Sequence, residues 1–227
     1  MVIDHGPWDR LLKTYIRKGP DGVNRVLNGR VDKAARKGLG RYLEGLRSAP
    51  VRRLNRDEQR AFWINLYNAL TVRMILQSYP LDSIRDLDDP WDRKLFEVEA
   101  KALSLNDIEH RILRPIWRDP RIHYAVSCAS IGCPDLQPLA FTAANGDTLL
   151  DLGGQNYVNH WRGARVEEGE LIVSKIYAWF SEDFGDSDEN VIAHLRYLAE
   201  PPLAKKLEGI TAIEDYEYDW RLNDAGS

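Results

Sequence analysis

Residues 56–78, RDEQRAFWINLYNALTVRMILQS, decide how this chain folds. Neither Gly nor Pro interrupts them. Asp57 and Glu58 sit near the start, where carboxylates favour the positive end of a helix dipole. Pro80 marks the exit. Between Phe62 and Leu76 the segment is apolar nearly all round, the pattern of a helix buried on most sides. The rest of the chain therefore has to wrap this central helix. Asn65 and Asn68 lie three apart on one strip of it, flanked by Ile64, Val72 and Ile75. Buried amides need partners. They either brace a neighbouring loop, or one of them orients a catalytic group or donates to an oxyanion.

Working outward, Trp8, Leu11, Leu12, Tyr15 and Ile16 recur at helical spacing, and the Gly19-Pro20-Asp21-Gly22 turn then breaks the pattern. A second helix covers 31–47, with Leu39, Tyr42, Leu43 and Leu46 on one face. Residues 94–103 alternate like a strand or hairpin. Ser104-x-x-Asp107 then opens a helix with a capping-box-like start and carries it to about Trp117, before Asp119-Pro120. Residues 121–127, RIHYAVS, alternate like a short strand. Further helices are expected at 147–162 and near 188–199, a strand at 170–174, an aromatic segment at 175–184 and a last extended stretch in IEDYEYDWRLND. No repeat or low-complexity linker divides the chain. The expectation is one α+β domain over 1–227, helix-rich around a small, mainly antiparallel sheet.

The 227 residues are enough to bury a substantial core. Hydrophobic residues make up 44% and charged residues 29%, an ordinary balance for a folded soluble protein. The net charge of −4, with both signs interspersed, argues against a nucleic-acid partner. No apolar run reaches the length of a membrane-spanning helix. The N-terminus lacks the pattern of a signal peptide, which fits a cytoplasmic protein or a periplasmic or extracellular one whose leader has been removed. No residue pattern calls for a cofactor.

Chemistry concentrates in residues 104–134, SLNDIEHRILRPIWRDPRIHYAVSCASIGCP, which hold both cysteines, Cys128 and Cys133, and two of the five histidines, His110 and His123. On a helical wheel, Leu105, Ile108, Ile112, Leu113 and Ile116 make the apolar face, and Glu109 falls near its middle. A buried carboxylate is costly unless paired, hydrogen-bonded or protonated. His110 lies about 100° round the wheel and does not point the same way as Glu109. Strand alternation puts His123 opposite Cys128, unless the turn-like Ala129-Ser130-Ile131-Gly132 redirects the thiol. Cys128 reads as an inert buried thiol or as a nucleophile among small residues whose N–H groups a substrate can approach. A disulfide or zinc site with Cys133 is the remaining alternative, and it lacks the usual Cys-x2-Cys knuckle.

Four motifs, AFWINLYNALTV at 61–72, LSLNDIEHRILR at 103–114, DPRIHYAVSCASIGCPDL at 119–136 and YDWRLND at 218–224, resemble the family called domain of unknown function 547. WDRLLKTYI near the start, SYPLDSIRDL at 78–87 and SKIYAWFSEDF at 174–184 are also similar to it. The resemblance implies a relationship to papain-like cysteine proteases and transglutaminases, a papain-like fold and a Cys–His–acid set. By position that set is Cys128 as nucleophile, His110 or His123 as base and Glu109 as the acid. The wheel favours His123 as the partner of Glu109. The resulting expectation is a cysteine-dependent hydrolase or acyl-transferase acting on amide bonds, with Asn65, Asn68 or backbone N–H groups holding the oxyanion. The alternatives are a non-catalytic module for an unknown peptide or small-molecule ligand, or a structural zinc or disulfide site at Cys128 and Cys133.

Overall fold

The computed structural model describes residues 2–226. Its axis is helix α3, Arg56–Ser78, capped by the Asn55 side chain accepting from the Glu58 N–H at 2.9 Å. Almost every residue from Glu58 to Leu76 is buried, so the helix is surrounded as its apolar circumference requires. Each fully buried Leu or Ile in it contributes about 1.5–3 kcal/mol of transfer free energy. Helices α1 (Gly6–Tyr15) and α2 (Lys33–Arg47) pack in sequence, α2 against α3. Between them β1 (Ile16–Lys18) and β2 (Asn24–Val26) form an antiparallel hairpin across the predicted turn. A second hairpin, β3 (Phe96–Val98) with β4 (Lys101–Leu103), follows α3.

The helix after Ser104 is not a regular α-helix. Asp107–Leu113 is a π-helix, continued by the α-helical turn α4, Arg114–Trp117. Pro115 has no N–H to donate, and its ring crowds the carbonyl four residues earlier, which favours opening the turn that precedes it. The wider turn shifts the buried face. Ile108, Glu109 and Leu113 are buried, whereas Ile112 is half-buried and Ile116 exposed, contrary to the α-helical wheel. The cap is as read: the Asp107 carboxylate accepts from the Ser104 N–H at 2.8 Å, and the Ser104 hydroxyl accepts from the Asp107 N–H at 3.1 Å.

Residues 121–127 are not a strand. Pro120–Tyr124 is a 3-10 turn, started by the Asp119 side chain accepting from the Arg121 N–H. Ile122, His123 and Tyr124 are all buried, so the alternation in the letters marks no two-faced ribbon. Helix α5, Gly146–Val158, packs against this turn. Gly153 permits the approach, because a Cβ there would stand 2.9 Å from the Tyr124 carbonyl oxygen.

Strands β5 (Ala164–Glu167) and β6 (Glu170–Ser174) pair antiparallel, and β7 (Asp215–Glu217) joins β6 in parallel. The expected aromatic segment folds as α6, Ile176–Trp179, and a 3-10 turn, Ser181–Phe184. Helices α7 (Asp188–Leu198) and α8 (Pro201–Lys206) follow, the second begun by the Pro pair that sequence reading took only as a stop. The class is helix-rich α+β, with three small sheets rather than one among the described residues. Among the described residues no helix is long and apolar enough to cross a membrane.

Buried side chains fall into two clusters, one around α3 and one around β5–β6, α6 and α7. Polar residues of α3 tie loops to the first. The Asn65 amide donates to the Phe141 carbonyl at 2.8 Å and accepts from its N–H at 3.0 Å. Asn68 donates to the Ala125 carbonyl at 2.8 Å and accepts from the Ser127 N–H at 2.9 Å. Asn68→Ala leaves both backbone groups unpaired and is expected to cost about 2–5 kcal/mol in urea unfolding. A loss within about 0.5 kcal/mol would contradict this bracing role.

Candidate active site

Between the two clusters lies a cavity of about 260 Å³. Glu109, His110, His123, Cys128 and Cys133 all line it, with Tyr67 from α3. Among them Glu109 is the residue that packing explains least. It is buried, and its charge acts on the Tyr67 phenol. Burial first, and the Glu109 charge second, push the Tyr67 phenol well above its ordinary pKa, so it remains a donor.

His123 stands on the Pro120–Tyr124 turn with its ring stacked on Phe180 at 4.3 Å. Its Nε2 meets the Asp183 carboxylate at 2.6 Å, and its Nδ1 faces Glu109 Oε1 at 3.7 Å. Asp183 also receives the Arg114 guanidinium. Burial alone would raise the Asp183 carboxyl, but His123 and Arg114 outweigh it and hold the pKa at about 2. The imidazole is thus oriented by an ionised carboxylate on one side, with its other nitrogen toward the cavity's carboxylate. His110 is placed differently. Arg114 donates to its Nδ1 at 3.1 Å, and it shares no bond with Glu109, its neighbour in sequence.

Cys128 follows directly on the segment that Asn68 holds, and the chain turns sharply after it, with Ala129 in the left-handed region at φ 65°. Its Sγ lies 3.0 Å from the Ser130 hydroxyl and 3.0 Å from the Tyr218 hydroxyl, which are 2.9 Å from each other. Three protons close this triangle as a neutral ring. Removing the thiol proton frees both hydroxyls to donate to the thiolate. Hydrogen bonding with Cys133 and then with the two hydroxyls outweighs burial and lowers the Cys128 thiol from 9.0 to about 7. Burial and the Cys128 charge push Cys133 up, so it stays a thiol. Among the described residues, no histidine nitrogen is hydrogen-bonded to the Cys128 sulfur.

Three expectations change. Asn65 and Asn68 do not line the cavity, and their amides are engaged with backbone, so neither supplies an oxyanion donor. Cys133 forms no disulfide: both cysteines are free, and the Cys133 sulfur accepts from the Cys128 N–H at 2.9 Å. Among the described residues, no group of three or more His, Cys, Asp or Glu side chains could hold a metal ion, which removes the structural zinc reading. Sequence reasoning missed Asp183, Ser130 and Tyr218. Asp183 lies within SKIYAWFSEDF and Tyr218 opens YDWRLND, but distance along the chain hides their partners.

Because Asp183 titrates below its ordinary 3.8, its contribution to stability is complete above that pH and lost as pH falls through about 2. The stability gap between the protein and Asp183→Asn should therefore shrink between those two pH values in acid unfolding curves. A gap that stays constant over the window contradicts the pairing.

Residues 51–158 match the family model described as protein of unknown function, DUF547. No curated protein and no solved structure matches the chain. The matched stretch runs from the turn before α3 to the end of α5 and holds Tyr67, Glu109, His110, His123, Cys128 and Cys133. Asp183 and Tyr218 lie outside it. Over residues 51–158 the chain is similar to the DUF547 family, whose function is unknown.

Proposed function

We propose that this cavity is the active site of a cysteine-dependent hydrolase or acyl-transferase acting on amide bonds. The observation that carries the reading is that an acidified thiol and a carboxylate-oriented histidine open on the same cavity. Elsewhere in such chemistry the base bonds the thiol directly; here the two hydroxyls stabilise the thiolate and the histidine works across the cavity.

The thiol proton passes to His123 Nδ1, the nitrogen not held by Asp183. The Cys128 sulfur then adds to the carbonyl carbon, and the oxyanion needs a donor. The Cys128 N–H is already given to Cys133, so the Tyr218 hydroxyl, released from sulfur as the S–C bond forms, takes that role. His123 protonates the leaving amine as the C–N bond breaks. Water or an amine then attacks the thioester, giving its proton to His123, which returns it to sulfur.

A second reading, a binding module that keeps the fold without the chemistry, is favoured by one observation. His123 Nδ1 meets a carboxylate rather than the thiol. Alkylation separates the two. The rate of Cys128 modification by iodoacetamide should rise with pH to a half-maximum near 7, against the ordinary 9.0 of a cysteine. Tyr218→Phe, by removing one donor, should move that midpoint upward by about one pH unit. A wild-type midpoint at the ordinary value would leave the binding module as the better account.

A further inference from the structure

The mouth of the cavity differs in character from its floor. Trp91, Trp179, Tyr218 and Trp220 form a continuous aromatic group there. Trp220 is its centre, with ring centroids 5.9 Å from Trp91, 5.5 Å from Trp179 and 4.6 Å from Tyr218. Inclined rather than stacked, at 68°, 35° and 55°, these rings do not cover one another's faces fully. Trp179 remains 45% exposed, although it lies in a chain otherwise able to bury large side chains.

The charges around the cavity have one sign. Among the described residues, Asp92 at the mouth and Glu109 at the floor are its two acidic side chains, and no Lys or Arg lines it. Two arginines beside its lining residues are engaged with partners of their own. Arg114 is paired with Asp183, and Arg85 sits over the Trp220 ring at 5.3 Å without lining the cavity. That pair already shows Trp220 accepting a cation on its π-face. Electron-rich ring faces attract organic cations, most strongly when water is excluded. Carboxylates on the same side add to the attraction. The volume, about 260 Å³, lies below the range of drug-sized sites and suits a single side chain or small headgroup.

We infer that the aromatic mouth binds an alkylammonium group, and that the ligand entering this cavity is cationic. The inference rests on the proposed active site for what happens beyond the mouth, but the recognition needs no reaction. An anionic ligand would meet two carboxylates and no Lys or Arg side chain. A neutral ligand would fill the rings without using either carboxylate.

The test is calorimetric titration of the full chain with two ammonium probes, Nα-acetyl-lysine methylamide and choline, each beside its uncharged carbon isostere. At least one ammonium probe should bind about ten-fold or more tightly than its isostere, equivalent to about 1.4 kcal/mol. Trp220→Leu and Asp92→Asn should each reduce that preference. Which probe prevails identifies the source as a side-chain amine or a quaternary headgroup. Equal binding of probe and isostere, no binding of either ammonium probe, or a preference unchanged in both variants would overturn the inference. Turnover plays no part in this readout, so an unreactive Cys128 with intact ammonium binding refutes the enzyme reading alone. A reactive Cys128 without ammonium preference refutes this one alone.

Discussion

The amide of Asn68 is the tie on which the site depends. It stands on a helix buried on nearly all sides and grips the backbone on both sides of Val126, two residues before Cys128. A helix surrounded by apolar neighbours leaves a polar side chain few ways to be satisfied. The segment that satisfies Asn68 is thereby fixed to α3, and so is the turn from which Cys128 emerges. The same helix sends Tyr67 to Glu109. One buried element thus positions the sulfur and the cavity's carboxylate, while the other cluster supplies Asp183 and the aromatic wall.

The charged groups form an ordered series across the seam. Arg114 and Asp183 neutralise each other beside His123, Asp183 fixes the imidazole through Nε2, and Glu109 faces Nδ1. The thiol, by contrast, is answered by hydroxyls and by the second cysteine. Proton and sulfur are therefore managed by separate groups, joined only by the space a substrate would occupy. The backbone shares in this: Ala129 adopts a left-handed conformation that costs a non-glycine residue about 1–2 kcal/mol, and it does so next to the thiol. Strain of this kind collects at functional sites.

Much of the fold was legible in local signals. The central helix ends where its polar start and Pro80 place it, and the Ser104–Asp107 cap forms as its letters specify. Local periodicity failed where two structures share a letter pattern. RIHYAVS alternates like a strand, yet Asp119 and Pro120 turn it into a 3-10 segment. The wheel rested on an α-helical period, and the π-helix before Pro115 broke it, although Glu109 is buried under either geometry. His123 rather than His110 lies beside Glu109. The partners of the site that sequence missed, Asp183 and Tyr218, are sixty and ninety residues from His123 and Cys128, a separation no local rule spans.

The central claim is that Cys128 and His123 act in one reaction although they are not bonded to each other. Mass spectrometry of the intact protein after brief exposure to p-nitrophenyl acetate tests it directly. The account predicts a single acetyl group on Cys128, lost rapidly in the wild type and retained in His123→Ala. Acetylation absent from Cys128, or a thioester lost equally fast with and without His123, would contradict it.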